Sequence, residues 1–485
     1  MYTYTGHPLV DIGIATILAF VRKRDPTTLT EEDFSKIKAY MEENYIREPL
    51  TSLLTVAFPN SGFTNPSIKK EKRKEYVERI LGAYKEDVKS DLMCVFTGKP
   101  ATGIALSKKT QPGKAFRQHI PLITGEGIIN FYPWGDAGLS VSGEALLAIH
   151  AFPLGCAKCE GKFLAVHSDN PDLILDFVKE FLEHNRKLIG LAKESGSKKL
   201  EEPNASARTL LVKTLLKIEQ QRVDEALESR PSSVTAYHLS NLGSSPYLEI
   251  YHLPLEIMDF LGQVISAEYR NEWNSIVHRA WWLSQKRKNK KEPTIENDAE
   301  ISSRRNVLYE DLFKLPDNAR SFIRLYLLRI PKRHGAKDDP RTTYSTKDEG
   351  NLVSWKITEL FIRRVLNMNK EKIDQIKLLG DRLASYIKEE NDRNFFTTLF
   401  HHRYDRFRGA LIKANLAQVK KGKEPLITLD PYLTIFEDGY ETASSDWRLS
   451  RDLVLIKMIE KLYKEGWLIT NIEAIPEIKT EEETE

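Results

Sequence analysis

Apolar residues run almost without a break through "LVDIGIATILAFV" (9–21), interrupted by a single acid, which predicts an amphipathic or buried helix. "DPTTLTEEDFSKIKAYMEENYI" follows, a helical period in which Thr28 or Thr30 caps a first turn rich in Glu and Asp. "LLTVAFPNSGFTNPS" (53–67) is an apolar run that opens into a Pro/Asn/Gly/Ser loop, and a strongly basic helix, "IKKEKRKEYVERILGAYKED", comes next. Residues 92–168 change character: frequent glycines, punctuating prolines and short apolar runs predict a β-rich, turn-rich region. Helical periodicity returns over 169–195 behind an Asp or Asn start, and 196–206 reads as a linker.

Beyond 207 the pattern is mixed. "SSVTAYHLSN" and "YLEIYHLP" read as strands, and a long helical stretch spans about 255–287. After "PKRHGAKDDPRTTYSTKDEG" (331–350) the chain is mostly helical to "LYKEGWL", and its acidic tail reads as frayed. These patterns predict an α+β chain in four parts: a mixed N-terminal domain (1–200) with a β-rich insert, a mixed middle region (207–350), an all-α bundle (351–470) and a tail (471–485). No period of repetition is present.

Composition narrows the class. The 485 residues, 41% of them hydrophobic, suffice for several buried cores. Three cysteines are too few and too odd for a disulfide framework and fit a reducing cytoplasm. The first apolar run is too short to span a bilayer and lacks a signal-peptide layout, so no membrane association is expected.

Net charge is only +3, so any nucleic-acid reading rests on local distribution. "KKEKRK" (69–74) and "QKRKNKK" (285–291) each hold five basic residues; "SKKTQPGKAFRQH" (107–119) holds Lys108, Lys109, Lys114 and Arg117 with no acid. Residues 361–424 carry 15 basic and 8 acidic residues, among them Arg403, Arg406 and Arg408 with Tyr404 and Phe407 interleaved. Lys and Arg at phosphates add salt-dependent affinity, and aromatics beside them stack on unpaired bases. The competing reading of each run is a solvated face or linker, and it fits 285–291 best.

No catalytic signature accompanies these patches. G-x-S-x-G, G-x-x-x-x-G-K-[ST], H-E-x-x-H and the deaminase pattern are all absent. "GKPATG" (98–103) carries Pro100, which removes an N–H that a phosphate cradle needs. His401 and His402 are adjacent on a helical pattern and point to different faces. The chain reads as a binding or scaffold protein, not an enzyme, with a stand-alone nucleic-acid enzyme as the alternative. Three readings stay open for Cys156 and Cys159 in "LGCAKCEGKF": structural cysteines, a redox pair, or zinc ligands joined by Cys94 and one of His119, His150 or His167. In "CAKCEG" Glu160 occupies the position where a knuckle needs glycine.

"GHPLVDIGIATI" (6–17), "FPNSGFTNPS" (58–67), "CVFTGKPA" (94–101), "INFYPWGDAGLSVSGEALLAIHAFPLG" (129–155) and "LAVHSDNPDL" (164–173) together resemble, in order, the CXXC–CXXC family of CRISPR-associated proteins, the large subunits of type I-B and related Cascade complexes. The resemblance covers roughly 1–185. It implies a cytoplasmic, RNA-guided surveillance complex containing guide RNA, Cas5-type and Cas7-type subunits and small subunits. In such a complex the large subunit reads the motif flanking a double-stranded DNA target, aids duplex opening and R-loop formation, and docks a helicase-nuclease. It implies no chemistry and no cofactor in this chain.

For the metal, the first family knuckle matches "CVFTG" with Thr97 at a ligand position. The second matches Ser142-Gly143-Glu144-Ala145, where both cysteines are missing. One ligand, Cys94, remains, so the resemblance implies that zinc is lost and that Cys156 and Cys159 are structural. Within that role, the polar, Gly/Pro-punctuated loop "NSGFTNPSIKK" with its basic flank offers Asn60, Asn65, Lys69 and Lys70 to base edges or phosphates, the alternative being that the two amides satisfy turn backbone. Arg403, Arg406 and Arg408 would track the displaced strand or heteroduplex. Met368 opens a basic helical segment of the kind that an internal start would release as a small subunit.

Overall fold

The computed structural model describes residues 2–86, 90–108, 110–126, 128, 135, 137–203, 205–225, 232–242, 246–282, 305–336, 338–437 and 447–477. The chain is α+β. It divides into two compact units, Met1–Leu255 and Glu256–Glu485. No helix of the described residues is long and apolar enough to cross a membrane.

The first unit is organised around α1 (Pro8–Val21), whose residues from Leu9 to Leu18 are all buried. A helix that is apolar around its circumference needs neighbours on every side. It has them in α2 (Glu31–Asn44), α5 (Gly143–Ala151), α6 (Pro171–Ser195) and β4 (Lys162–Ser168). Asp11, the acid within the run, is buried and accepts hydrogen bonds from Thr5 N (2.6 Å), Gly6 N (2.8 Å) and His167 Nε2 (3.2 Å). One carboxylate therefore ties the N-terminal loop, α1 and β4 together.

Thr30, not Thr28, caps α2: its hydroxyl accepts from Asp33 N while the Asp33 carboxylate accepts from Thr30 N, a capping box. α3 (Leu50–Leu54) ends in the loop that leads to α4 (Lys70–Gly82). Asn170 caps α6, and Gly196 ends it at a left-handed φ of 68°.

Residues 92–168 hold β1 (Lys114–Ala115), β2 (Leu139–Ser140), β3 (Ala157–Cys159) and β4 around α5, with turns between them. β3 and β4 continue into an antiparallel sheet of order β3-β4-β5-β6 with β5 (Val234–Ser240) and β6 (Tyr247–Leu253). Ser168 pairs with Val234 and Phe163 with Leu239. This pairing, with α7 (Ala207–Asp224) packed on α6, places residues 207–255 in the first unit, where the sequence pattern sets them with the middle region.

In the second unit the expected helix over 255–287 is broken. Leu255–Val264 and Arg270–His278 are separate helices, because the Arg270 guanidinium and a turn at Ser266 take up the backbone at 265–269. The basic run 285–291 and the end of the tail lie outside the described residues. Helices from Trp355 to Thr470 form the expected helical region, with Lys370–Glu390 packed along Trp447–Lys464. Asp452, fully buried, is held by Arg451 (2.6 Å) and Arg324 (3.0 Å). Arg329 is buried over the Tyr344 ring and donates twice to Glu349.

Candidate nucleic-acid interface

The loop between α3 and α4 is anchored from beneath. Phe58 and Phe63 are buried, and Phe58 stacks on the His150 imidazole at 4.7 Å. The Thr64 hydroxyl donates to Phe58 O (2.7 Å). At Gly62 a Cβ would lie 2.2 Å from the Tyr76 ring, so glycine lets α4 press directly on the loop backbone. The apex is then fixed: Asn60 is exposed at a left-handed φ of 58°, a conformation asparagine tolerates.

Asn65 does what the turn reading expects. Its Oδ1 accepts from Ser67 N (2.9 Å), and its carbonyl accepts from Arg73 Nη2 (2.6 Å). Lys69 and Lys70 open α4 and are exposed, as are Lys72 and Lys74, and none of the four forms an ion pair with the described residues. The loop and the start of α4 thus expose one amide and four ammonium groups, with Lys72 on the opposite side of the helix from Lys70 and Lys74. Lys72 and Lys74 belong to the basic run read from the sequence. Lys72 lies away from the side of α4 that Val77, Ile80 and Leu81 bury, whereas Lys74, three residues before Val77, lies on that side and is exposed because burial in α4 begins only at Val77.

The loop 107–119 departs from expectation. Lys108 is exposed, and Lys109 lies outside the described residues. Lys114 is buried, because its backbone pairs with Ser140 and brings the residue inside. Arg117 donates to Asn241 through Nε (3.0 Å) and Nη2 (2.6 Å), so its fork holds β5's exit instead of facing solvent. These two residues leave the exposed basic set.

In the second unit Arg403, Arg406 and Arg408 are exposed. Arg403 is bound to Asp405 (2.8 Å). Arg406 and Arg408 lie roughly 160° apart around the helix axis, so the three do not form one stripe. The interleaved aromatics are not free to stack. Phe407 is buried against Phe436 and Trp447, and the Tyr404 hydroxyl meets those of Tyr432 and the Glu437 carboxylate. Tyr404, Phe407, Leu411, Ala414 and Gln418 follow the helical period, a signal of an inward face present in the sequence.

The cysteines do not converge. Cys156 is buried and its thiol donates to Phe152 O (3.2 Å). Cys159 lies in β3, 3.9 Å from His238 Nε2. Burial raises both thiols, Cys159 to about 12, far from the thiolate character that redox work needs. No group of three or more His, Cys, Asp or Glu capable of holding a metal occurs among the described residues.

A different convergence does occur. The turn 94–99 carries Cys94 N to Lys99 O (2.7 Å) and Gly98 N to Cys94 O (3.0 Å), with Gly98 at φ 65°. It lies against the start of α5: Val95 N donates to Ser140 O, and the Thr97 hydroxyl is 3.3 Å from that of Ser142, the α5 cap. Lys99 pairs with Glu144 across the same contact. Positions 97 and 142, matched in sequence to knuckle ligands, meet across 45 residues of chain and carry hydroxyls.

Two buried imidazoles lie beneath: His150, on α5, against Phe58 of the loop, and His119 against the Tyr76 ring of α4. Burial holds both imidazoles neutral, with His119 lowered to about 3 and His150 to about 4. Against family models, curated proteins and solved structures, the chain finds no match.

Proposed function

We propose that this chain is the large, motif-reading subunit of an RNA-guided DNA surveillance complex of the type I-B Cascade kind. The observation that carries the reading is the meeting of the two motif halves at Thr97 and Ser142, which is the juxtaposition the family resemblance calls for and which nothing in the spacing dictates. The exposed set of Asn60, Lys69, Lys70, Lys72 and Lys74 supports it chemically: ammonium groups take phosphates, and an amide at a rigid apex reads a base edge in a groove. In this reading sequence specificity comes from guide pairing and the chain performs no chemistry. Lys108, Arg406 and Arg408 are secondary backbone contacts. Guide RNA, Cas5-type and Cas7-type subunits, small subunits and a helicase-nuclease are the partners proposed, in the cytoplasm.

The test is purification of the tagged chain from its host, with sequencing of bound RNA and mass spectrometry of bound proteins. Binding of double-stranded targets that differ only in the flanking motif follows. Short RNAs of common 5′ sequence, repeating subunits and motif-dependent binding are expected. A chain that purifies without RNA, or binds all flanks equally, refutes the proposal.

A further inference from the structure

A cavity of about 140 Å³ lies in the first unit beside the contact of Thr97 with Ser142. Residues 2–5 line one part of it, Val10 and Ile14 of α1 another, and residues of the turn 94–99 and the start of α5 the rest. Two phenols in its wall are unpaired. Tyr2 is 8% exposed and Tyr4 is half-buried, and both phenol oxygens are buried with no hydrogen-bond partner among the described residues. A hydroxyl buried in this way costs stability until something pairs with it. Burial raises both phenols, so each keeps a proton to donate beside the lone pairs that accept.

The wall sets what can enter. Its volume is close to the roughly 150 Å³ that admits benzene, so it takes one six-membered ring and not a fused pair. A hydrocarbon ring would leave the two hydroxyls as they are. Lys99 and Glu144, paired with one another and 37% and 29% exposed, stand at the rim. The carboxylate turns away phosphate and other anions, and the two charges together suit an edge that carries both carbonyl and N–H groups. Phe96 and Tyr4 supply ring surface, on which a planar ligand lies better than a saturated one. These conditions describe a neutral, planar, six-membered heterocycle with donors and acceptors on its edge.

We propose that the cavity takes one unstacked pyrimidine base of a single strand, with its edge met by the hydroxyls of Tyr2, Tyr4 and Thr97 and its sugar left at the rim beside Lys99. The choice of a nucleobase among such heterocycles rests on the nucleic-acid reading above; the size and polarity of the ligand do not. The cations of α4 take phosphates whatever the base, whereas this cavity tells a pyrimidine from a purine.

The test titrates the full chain with uridine, cytidine, their 2′-deoxy forms, adenosine, guanosine and toluene, read by saturation-transfer NMR. Saturable binding of uridine or cytidine is expected, at least roughly tenfold tighter than either purine nucleoside or toluene. Tighter binding of the ribose form assigns the base to RNA and of the deoxyribose form to DNA, and either supports the proposal. Tyr2→Phe combined with Tyr4→Phe should weaken pyrimidine binding roughly tenfold. Melting of this double variant should be unchanged or raised, because the lost hydroxyls had no partner. No saturable nucleoside binding overturns the proposal, as does equal binding of purines or toluene, or a double variant that binds as wild type does. A double variant that melts well below wild type overturns it too, since its hydroxyls would then already have partners. None of these measurements uses guide RNA, partner subunits or a flanking motif. A chain that fails to bind pyrimidines yet purifies with RNA overturns this inference alone, and one that binds them yet purifies without RNA overturns only the subunit reading.

Discussion

Gly13 and Gly190 both occupy helix interiors, and the same substitution should act on them with opposite signs. In α6, Gly190 is exposed and a Cβ there meets nothing within 4 Å. Gly190→Ala should therefore gain the intrinsic helix preference of about 1 kcal/mol, or about 2–4 °C for a unit of this size. In α1, a Cβ at Gly13 would lie 2.0 Å from Ala148 O of α5, and the obstacle is backbone, which cannot rotate away. The two helices must separate within the most buried part of the core. Overpacking costs about 1–3 kcal/mol, more at rigid contacts. Taking the upper end and subtracting the helix gain leaves Gly13→Ala about 2 kcal/mol less stable, a fall of roughly 4–8 °C. The assay is the melting of each variant beside wild type, followed by near-ultraviolet circular dichroism, with limited proteolysis assigning the transition to the first unit. Gly13→Ala melting at or above wild type would refute the close crossing of α1 and α5.

Replacing Lys69, Lys70, Lys72 and Lys74 by Ala should flatten the salt dependence of DNA binding, each lost phosphate contact removing about 0.9 from the slope of log affinity on log salt; an unchanged slope, measured by filter binding, removes α4 from the interface. His119 and His150 have folded pKa values depressed below the unfolded value, so below about pH 6.5 the unfolded state binds more protons and stability falls as pH falls. By pH 5 the loss should be roughly 2 kcal/mol per imidazole, seen in urea midpoints, and His119→Gln should shrink it; a flat profile from pH 7 to 5 contradicts their burial. Asp452→Ala leaves Arg451 and Arg324 without their shared carboxylate and should cost the second unit about 3–5 kcal/mol; urea unfolding with a loss under 1 kcal/mol would show the pair to be solvated. Thr97→Cys, Ser142→Cys and Ala145→Cys combined with native Cys94 should bind close to one zinc per chain by elemental analysis, and zinc at the wild-type level would show that the four positions do not share a metal's geometry.

Local chemistry was legible and long-range pairing was not. The caps of α2 and α6 were readable to within a choice, Thr28 or Thr30 and an Asp or Asn, because capping depends on neighbours two or three residues away, and the structure selects Thr30 and Asn170. The apolar run 9–21, broken by Asp11, was readable as an amphipathic or buried helix, and the structure buries it from Leu9 to Leu18. β5's attachment to β4, which moves residues 207–255 into the first unit, depends on a register between Ser168 and Val234 that no local window contains. Charge runs were the weakest guide. Lys108 and Lys114 stand in one run, yet one is exposed and the other buried, because pairing of 114–115 with 139–140 decides burial and charge does not. Tyr404 and Phe407 invited a stacking role beside their arginines, while their spacing to Leu411 and Ala414 already marked the inward face.

On the proposed reading, the turn at 94–99 is a knuckle scaffold that stands with one thiolate, Cys94, of the four ligands the resemblance implies. A structural zinc is worth about 10–16 kcal/mol of apparent binding energy. The groups now across the contact supply far less: a hydroxyl pair is worth about 1 kcal/mol, and the half-exposed Lys99–Glu144 pair falls in the range of about 0–1 kcal/mol. What holds the turn is therefore not a side-chain substitute for the metal. Val95 N donates to Ser140 O, Thr102 N to Val141 O, and Val141 N to Gly113 O, so backbone from three segments closes around Cys94, which is 3% exposed. With the turn fixed by that backbone ladder and burial, positions 97, 142 and 145 carry no metal-binding duty that the fold needs, and on the proposed reading Thr97, Ser142 and Ala145 are what such positions take: small residues compatible with a helix cap.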